Sequence, residues 1–130
     1  MRRQGAPRPT DAELEILRVL WQNGPSTVRD VQEALNRSKP TGYTTVLKFL
    51  QIMTEKGLVR RDEGQRAHVY EARFAQEQTQ QQLIGDLIER VFDGSAAKLL
   101  MQALATKEKT SSEELSEIRR VLDGFERGVR

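Results

Sequence analysis

The feature that most limits the possible folds of this chain is a succession of three short helical patterns within its first 57 residues. The first pattern covers residues 10–23 and begins with a capping box, in which the Thr10 hydroxyl accepts an early backbone N–H and the Glu13 carboxylate reaches back to the cap. It ends at Gly24 and Pro25, because glycine tolerates the left-handed conformation that follows a helix and proline cannot continue one. We therefore expect a first amphipathic helix over these residues.

The second and third patterns are separated only by a short basic loop. The second begins at a cap, Ser26 or Thr27, and the third covers residues 41–56 and is closed by Gly57. At about 100° per residue, the third helix has one apolar side, but Ile52 falls among its polar residues and the sequence does not explain it. The apolar side consists of Tyr43, Val46, Leu47, Leu50 and Met53. Three short helices with a tight second connection are typical of a helix-turn-helix core.

Two short strand patterns follow the third helix. They cover residues 58–61 and 67–73, and the polar residues between them include Gly64, which suits the turn of a hairpin. A hairpin at this point is the wing of a winged-helix domain. The sequence therefore predicts a winged-helix DNA-binding domain over residues 10–74, preceded by a flexible basic arm at residues 1–9.

The C-terminal part, residues 75–130, is predicted to be a helical dimerisation region. Helical periodicity covers residues 76–92 and 96–105, and a second capping box formed by Ser111 and Glu114 begins the last helix. The predicted fold class is therefore mainly α with a small β-hairpin. It combines a winged helix-turn-helix domain with a C-terminal helical region.

Apolar stripes on the C-terminal helices predict a homodimer. These stripes could instead pack back onto the first domain as core. However, a small winged helix cannot cover several separate apolar helices, and stripes left exposed would promote unwanted association. A dimer also presents two DNA-reading heads to the duplex. The predicted dimerisation residues are Leu83, Leu87, Val91, Leu100, Ile118, Leu122 and Phe125.

The charge distribution favours a polyanionic partner for the first part of the chain. The net charge is only +2, but residues 1–74 hold 13 Lys and Arg against 9 Asp and Glu, whereas residues 75–130 hold 8 against 10. The chain has no cysteine and a single histidine, His68, so we expect no disulfide, no metal site and no cofactor. No apolar run approaches the ~20 residues of a membrane span. We expect a cytoplasmic protein without direct membrane insertion.

The third helix has the side chains of a DNA-recognition helix. Such a helix places its N-terminal residues against base edges in the major groove. The hydroxyl and methyl groups of Thr44 and Thr45 suit bases or phosphates and thymine methyls, and Lys48 can reach guanine or phosphate. Basic residues on the flanking loop and wing can orient the protein on the DNA backbone. The predicted DNA-binding residues are Lys39, Thr41, Tyr43, Thr44, Thr45, Lys48, Gln51, Arg61 and Arg66.

Several sequence segments resemble the penicillinase repressor family (BlaI/MecI/CopY). They are TDAELEIL at 10–17 followed by LW at 20–21, TVRDV at 27–31, YTTV at 43–46, EKGLV at 55–59, AHVY at 67–70 and, more loosely, SEEL at 112–115 with IR at 118–119. The resemblance implies a homodimeric repressor that binds palindromic operators with TACA- and TGTA-like halves. It also implies a partner found with many members, a membrane-embedded zinc metallopeptidase whose signal ends in cleavage of the repressor.

The resemblance also concerns how repression ends. In the β-lactamase branch the cleaved bond joins Asn and Phe, and the corresponding residues here are Gln102 and Ala103, which depart from that pattern. The copper-responsive branch uses a C-terminal cysteine cluster, which this chain lacks. A thiolate copper switch is therefore excluded, and the alignment places the family's cleavage position at Gln102 and Ala103, where the Asn–Phe pair is not kept.

The predicted function is a sequence-specific DNA-binding repressor that acts as a homodimer. Two alternatives remain open, namely a MarR-like regulator with a small-molecule pocket and a winged helix used as a protein-interaction module. An enzyme is disfavoured, because the sequence contains no nucleophile elbow, no phosphate-cradling glycine loop and no carboxylate pair with an evident site.

Overall fold

The computed structural model describes residues 7–64, 66–106 and 110–128, which contain six helices and one two-stranded sheet. Most of the predicted N-terminal arm, residues 1–6, lies outside the described residues. The chain divides into two compact units, of which the first ends at Asp86 and the second begins at Leu87. Within the described ranges, none of the helices has both the length and the apolar character needed to span a membrane.

The first helix forms where its local signals predict. Helix α1 (Asp11–Asn23) begins at the predicted capping box, since the Glu13 N–H donates to the Thr10 hydroxyl at 3.2 Å and the Thr10 N–H donates to Glu13 Oε1 at 2.9 Å. Gly24 ends the helix with a φ of 80°, and its N–H donates to the Leu20 carbonyl at 2.8 Å. This left-handed position is the reason that glycine is needed there.

The next two helices also follow their predicted signals, with one shift. Helix α2 (Val28–Asn36) is capped by Thr27, which forms a second capping box with the residue at N3. Helix α3 (Tyr43–Lys56) begins two residues later than predicted, after Gly42, which offers no side-chain cap. Gly57 ends α3 with a φ of 86°, as its predicted role requires.

The predicted wing is an antiparallel hairpin of strands β1 (Val59–Asp62) and β2 (Val69–Ala72). Ser26, the other predicted cap of α2, instead extends the sheet by a bridge to Tyr70, with N–H···O distances of 2.9 Å and 2.7 Å in the two directions. At the turn, the Gly64 N–H donates to an Asp62 carboxylate oxygen at 2.9 Å. The wing is therefore joined by backbone hydrogen bonds to the segment that precedes α2.

One apolar core holds the three helices and the hairpin together. It takes one face from each helix and the inward face of the wing, and partly buried Trp21, Leu35 and Phe49 pack around it. The core residues are Ile16, Leu17, Leu20, Val28, Val31, Val46, Leu50, Met53, Leu58, Val59 and Tyr70. Three helices followed by a packed hairpin form a winged helix, so the predicted fold class is confirmed.

The C-terminal residues are helical, as predicted. Helix α4 (Gln76–Val91) is followed by a sharp turn in which Asp93 and Gly94 have φ values of 54° and 78°. Helices α5 (Ala96–Thr106) and α6 (Ser112–Gly128) follow, and neither contains a buried residue. The start of α4 belongs to the first unit, whereas its last residues, α5 and α6 belong to the second.

A nearly buried ion pair fixes the end of α3 against the start of α1. Lys56 Nζ lies 2.7 Å from Glu13 Oε1, and the two side chains are 33% and 4% exposed. Burial raises the pKa of Glu13, but the hydrogen bonds from Lys56 and Thr10 and the nearby ammonium charge outweigh it and lower that pKa below its ordinary value of 4.5. The ionised carboxylate therefore stabilises the fold above pH 4.5, and this stabilisation is lost as the pH falls through the lowered pKa.

The Lys56→Met substitution should lower the free energy of unfolding by about 1–3 kcal/mol at pH 7, because it leaves the Glu13 carboxylate buried without its ammonium partner. Urea unfolding at pH 7 and pH 3 measures this. The deficit should shrink as the pH falls from 7 towards 3 through the lowered pKa, because a protonated Glu13 no longer needs the ammonium partner. Lys98→Met, which removes an exposed lysine paired with Asp93, is the control and should cost little. An equal deficit at both pH values would show that the ion pair contributes nothing.

Candidate nucleic-acid interface

The turn between α2 and α3 is held by side chains of α2 and by the side chain of Thr41 within the turn. The Thr41 N–H donates to Asn36 Oδ1 at 2.6 Å, and Gln32 Nε2 donates to the Thr41 carbonyl at 3.2 Å. The Thr41 hydroxyl donates to the Lys39 carbonyl at 3.0 Å. These bonds explain why α3 begins only after Gly42, and they fix the position of its first turn.

The predicted reading residues of α3 form one exposed face. Thr44, Thr45, Lys48 and Gln51 are exposed, whereas Val46, Leu50 and Met53 on the opposite side are completely buried. In the described part of the chain, none of the four polar side chains takes part in a hydrogen bond or an ion pair, so all four are free to meet a partner.

Two larger side chains of α3 are also exposed. Tyr43, which the helical spacing places on the apolar side, is 47% exposed because it lies in the first turn, beyond the core. Ile52 is 40% exposed and shares the polar face with Lys48, one turn before it. The sequence therefore located Ile52 correctly, and the structure gives it no partner in the core.

The basic residues of the wing differ in whether they form ion pairs with acidic side chains. Arg61 Nη2 lies 2.5 Å from a Glu63 carboxylate oxygen, and Arg60 Nη2 lies 2.8 Å from Glu71. The Tyr70 hydroxyl and the Glu63 carboxylate raise the pKa of Arg61, so its guanidinium remains charged. At the tip Arg66 is exposed and, among the described residues, has no acidic partner. Of the predicted wing cations, Arg66 is thus the freer one.

Arg29 is a cation that the sequence analysis left unassigned. It is exposed at the start of α2 and faces the same cleft as Tyr43, Arg66 and His68. Helical spacing places Arg29 on the solvent side of α2, but spacing alone does not show which other elements lie close to it. His68 occupies an exposed position just before β2. The described residues contain no group of three or more His, Cys, Asp or Glu side chains able to hold a metal ion.

The predicted dimerisation residues lie on α4, α5 and α6, with Leu83 alone in the first unit. Leu87, Val91, Leu122 and Phe125 are exposed, Phe125 to 66%. Leu83, Leu100 and Ile118 are partly buried. The two residues of the predicted cleavage site, Gln102 and Ala103, are exposed on α5.

A family model described as the penicillinase repressor matches residues 9–124. The chain belongs to the penicillinase repressor family. The resemblance found in the sequence is therefore confirmed, and it extends over the winged helix and most of the C-terminal helices.

Two curated members of the family match nearly the whole chain. The transcriptional regulator BlaI of Mycobacterium tuberculosis is 29% identical over 119 residues, which are 91% of this chain and 85% of the relative. The penicillinase repressor of Bacillus licheniformis is 21% identical over 117 residues, or 90% of this chain and 91% of the relative. Both are named as regulators or repressors, which places this family member outside the enzymes.

A solved structure supports the fold of the first unit. The solution structure of the DNA-binding domain of the repressor BlaI matches with a TM-score of 0.50 at 23% identity, over 60% of this chain and 93% of that one. At this level of identity the likeness shows the winged-helix fold only. The role of each side chain follows from its own position in the structure.

Proposed function

We propose that this chain is a cytoplasmic, sequence-specific transcriptional repressor that binds a palindromic operator as a homodimer. The observation that carries the proposal is the exposed, unpartnered polar face of α3, which is positioned beside a wing in a member of a repressor family. A helix-turn-helix uses its second helix in this way, and here that helix is α3.

Sequence is read by the free side chains of α3. Lys48 donates to guanine O6 or N7, and the Gln51 amide can pair with adenine. Thr44 and Thr45 combine a hydroxyl with a methyl group that can contact thymine. The core packing of Leu50 holds the helix so that these groups face the groove together.

Affinity comes from the basic and polar groups that flank α3. Lys39 and Arg66 are exposed and contact backbone phosphates from the turn and from the wing tip. Thr41 and Tyr43 contact the backbone from the start of α3. Arg61 remains charged but is held by Glu63, so its contribution to phosphate binding is smaller than that of Arg66. Such contacts orient the protein without reading the sequence.

A second copy of the chain covers the apolar residues of the C-terminal helices. On α6, Ile118, Leu122 and Phe125 recur at helical spacing, and two of the three are exposed. Exposed leucine and phenylalanine side chains in a stripe are stabilised when an identical stripe packs against them, as in a two-fold interface. Dimerisation places two reading heads on one operator.

Repression ends by cleavage between Gln102 and Ala103, carried out through a membrane metallopeptidase sensor. Both residues are exposed, which a protease requires. They lie within α5, so this helix must open locally before its backbone can enter a protease active site. The absence of buried residues from α5 makes such opening inexpensive in free energy.

The Lys48→Ala variant tests the reading face. If Lys48 contacts a base, its loss should weaken operator binding by about 1–3 kcal/mol while binding to a scrambled duplex changes much less. Fluorescence anisotropy with both duplexes at equal salt measures the difference. Lys98→Ala, which removes one exposed lysine from the second unit, is the control. Equal losses on the two duplexes would assign Lys48 to phosphate contacts, and no loss would remove it from the interface.

A further inference from the structure

A cleft of about 480 Å³ lies between the start of α2, the start of α3 and the wing. Thr27 and Arg29 line it from α2, Tyr43 from α3, and His68 and Tyr70 from the wing, and Arg66 completes its rim. The cleft therefore lies directly beside the first turn of α3, where the reading face begins.

The lining of this cleft is cationic. Among the described residues that form it, none is acidic, whereas Arg29, Arg66 and His68 all contribute N–H donors. In the described part of the chain, neither Arg29 nor Arg66 has a carboxylate partner. A second groove along the wing differs, because its two arginines, Arg60 and Arg61, are paired with Glu71 and Glu63. Of these two grooves, only the one beside α3 carries arginines that have no carboxylate partner among the described residues.

Tyr70 adds a second, independent observation. Its side chain lines the cleft and is completely buried, yet its hydroxyl has no hydrogen-bond partner. Arg61 lies opposite it across the strand pair, near enough for the hydroxyl to raise the pKa of that guanidinium, but a guanidinium can only donate, so the hydroxyl proton is left without an acceptor. A buried hydroxyl without a partner is costly, and an incoming acceptor oxygen would remove the cost.

We propose that this cleft is a phosphate-binding subsite that holds one backbone phosphodiester of the operator, with Arg29, His68, Tyr43 and Tyr70 as its donors. The inference rests on the proposed function and adds three donors, Arg29, His68 and Tyr70, to the backbone contact already proposed for Tyr43. A phosphate there neutralises Arg29 and accepts from the phenol groups. It also ties the wing and α2 to the same point of the backbone, which fixes the angle at which α3 enters the groove.

The test combines two variants with modified duplexes. Arg29→Ala should make the plot of log binding constant against log salt less steep by about one unit, because one phosphate contact is lost. Tyr70→Phe should weaken binding about two- to tenfold, as expected for one hydrogen bond, while its stability to urea stays equal to or above that of the wild type. Arg18→Ala, which removes an exposed arginine of α1 that does not line the cleft, is the control for charge.

Single neutral methylphosphonate linkages, scanned along the operator, locate the phosphate itself. The wild-type protein should lose affinity at one linkage in each half-site, and Arg29→Ala should lose nothing further at that linkage. If the wild type shows no salt-dependent duplex binding, the proposed function is wrong. If the wild type binds but Arg29→Ala keeps its full salt dependence and Tyr70→Phe keeps its full affinity, the phosphate subsite is wrong and the proposed function stands.

Discussion

Phe125→Asp is expected to weaken operator binding by about 10²–10⁴-fold, the range in which linking two binding heads raises avidity. Phe125 is 66% exposed on α6, in the stripe that a second copy is proposed to cover. A carboxylate at the centre of an apolar interface would be buried without a partner, which costs several kcal/mol and separates the protomers. Each separated head would then bind its half-site alone.

Light scattering and a gel-shift titration measure the two consequences of this change. The variant should be monomeric at micromolar concentration and should bind a single half-site as well as the wild type does. Ser116→Asp places the same carboxylate on the opposite side of α6, where it is exposed, and should change neither the mass nor the affinity. A wild-type chain that is monomeric at micromolar concentration and still binds the operator tightly would contradict the dimer.

Leu50→Ala and Ile52→Ala should have opposite consequences although they lie two residues apart on α3. Leu50 is completely buried, so its truncation leaves a cavity and should lower the free energy of unfolding by about 2–5 kcal/mol, a large share of what a small domain has. Ile52 is 40% exposed, so its truncation should change that free energy by only about 0.5 kcal/mol.

Operator binding separates the two variants further. Ile52 shares the exposed face of α3 with Lys48, and an apolar side chain in the major groove contacts thymine methyl groups. We therefore expect folded Ile52→Ala to bind the operator more weakly than the wild type. Urea unfolding and anisotropy measure both properties. An Ile52→Ala variant as unstable as Leu50→Ala would mean that Ile52 packs against protein and does not face DNA.

The sequence was most informative where structure depends on local signals. The capping box at Thr10, the glycine after α1 and the apolar spacing of α3 each act within one or two helical turns, and each predicted its helix correctly. The hairpin was predicted because a turn glycine separates two strand patterns, although β1 lies one residue later than expected and β2 is shorter than expected. Local signals were enough to recognise a winged helix.

Contacts between distant residues could not be predicted in this way. Lys56 pairs with Glu13 across 43 residues, and Trp21 Nε1 donates to the Phe74 carbonyl across 53 residues at 3.0 Å. The convergence of Arg29 with the wing is of the same kind, since it depends on the backbone bridge between Tyr70 of the wing and Ser26, just before α2. These contacts fix the geometry of the interface, and only the folded chain reveals them.

The sequence also could not predict which charged side chains on the surface form ion pairs with each other. In the sequence, Arg61 and Arg66 are both basic residues of the wing and nothing distinguishes them. In the structure, Arg61 Nη2 lies 2.5 Å from a Glu63 carboxylate oxygen, whereas Arg66 is unpaired among the described residues. Which of two nearby arginines is free depends on the path of the turn between them. For this reason the sequence predicts a set of basic wing residues but does not show which of them are free of an acidic partner.

The central claim is that the free face of α3 reads a specific duplex sequence. It is tested most directly by selecting a duplex from random DNA with the full chain and then measuring its affinity against a scrambled duplex at several salt concentrations. We expect a selected sequence with two-fold symmetry, bound at least about 10³-fold more tightly than the scrambled one at physiological salt, with half-sites one helical turn or a multiple of it apart. Equal affinity for both duplexes at every salt concentration would contradict the claim.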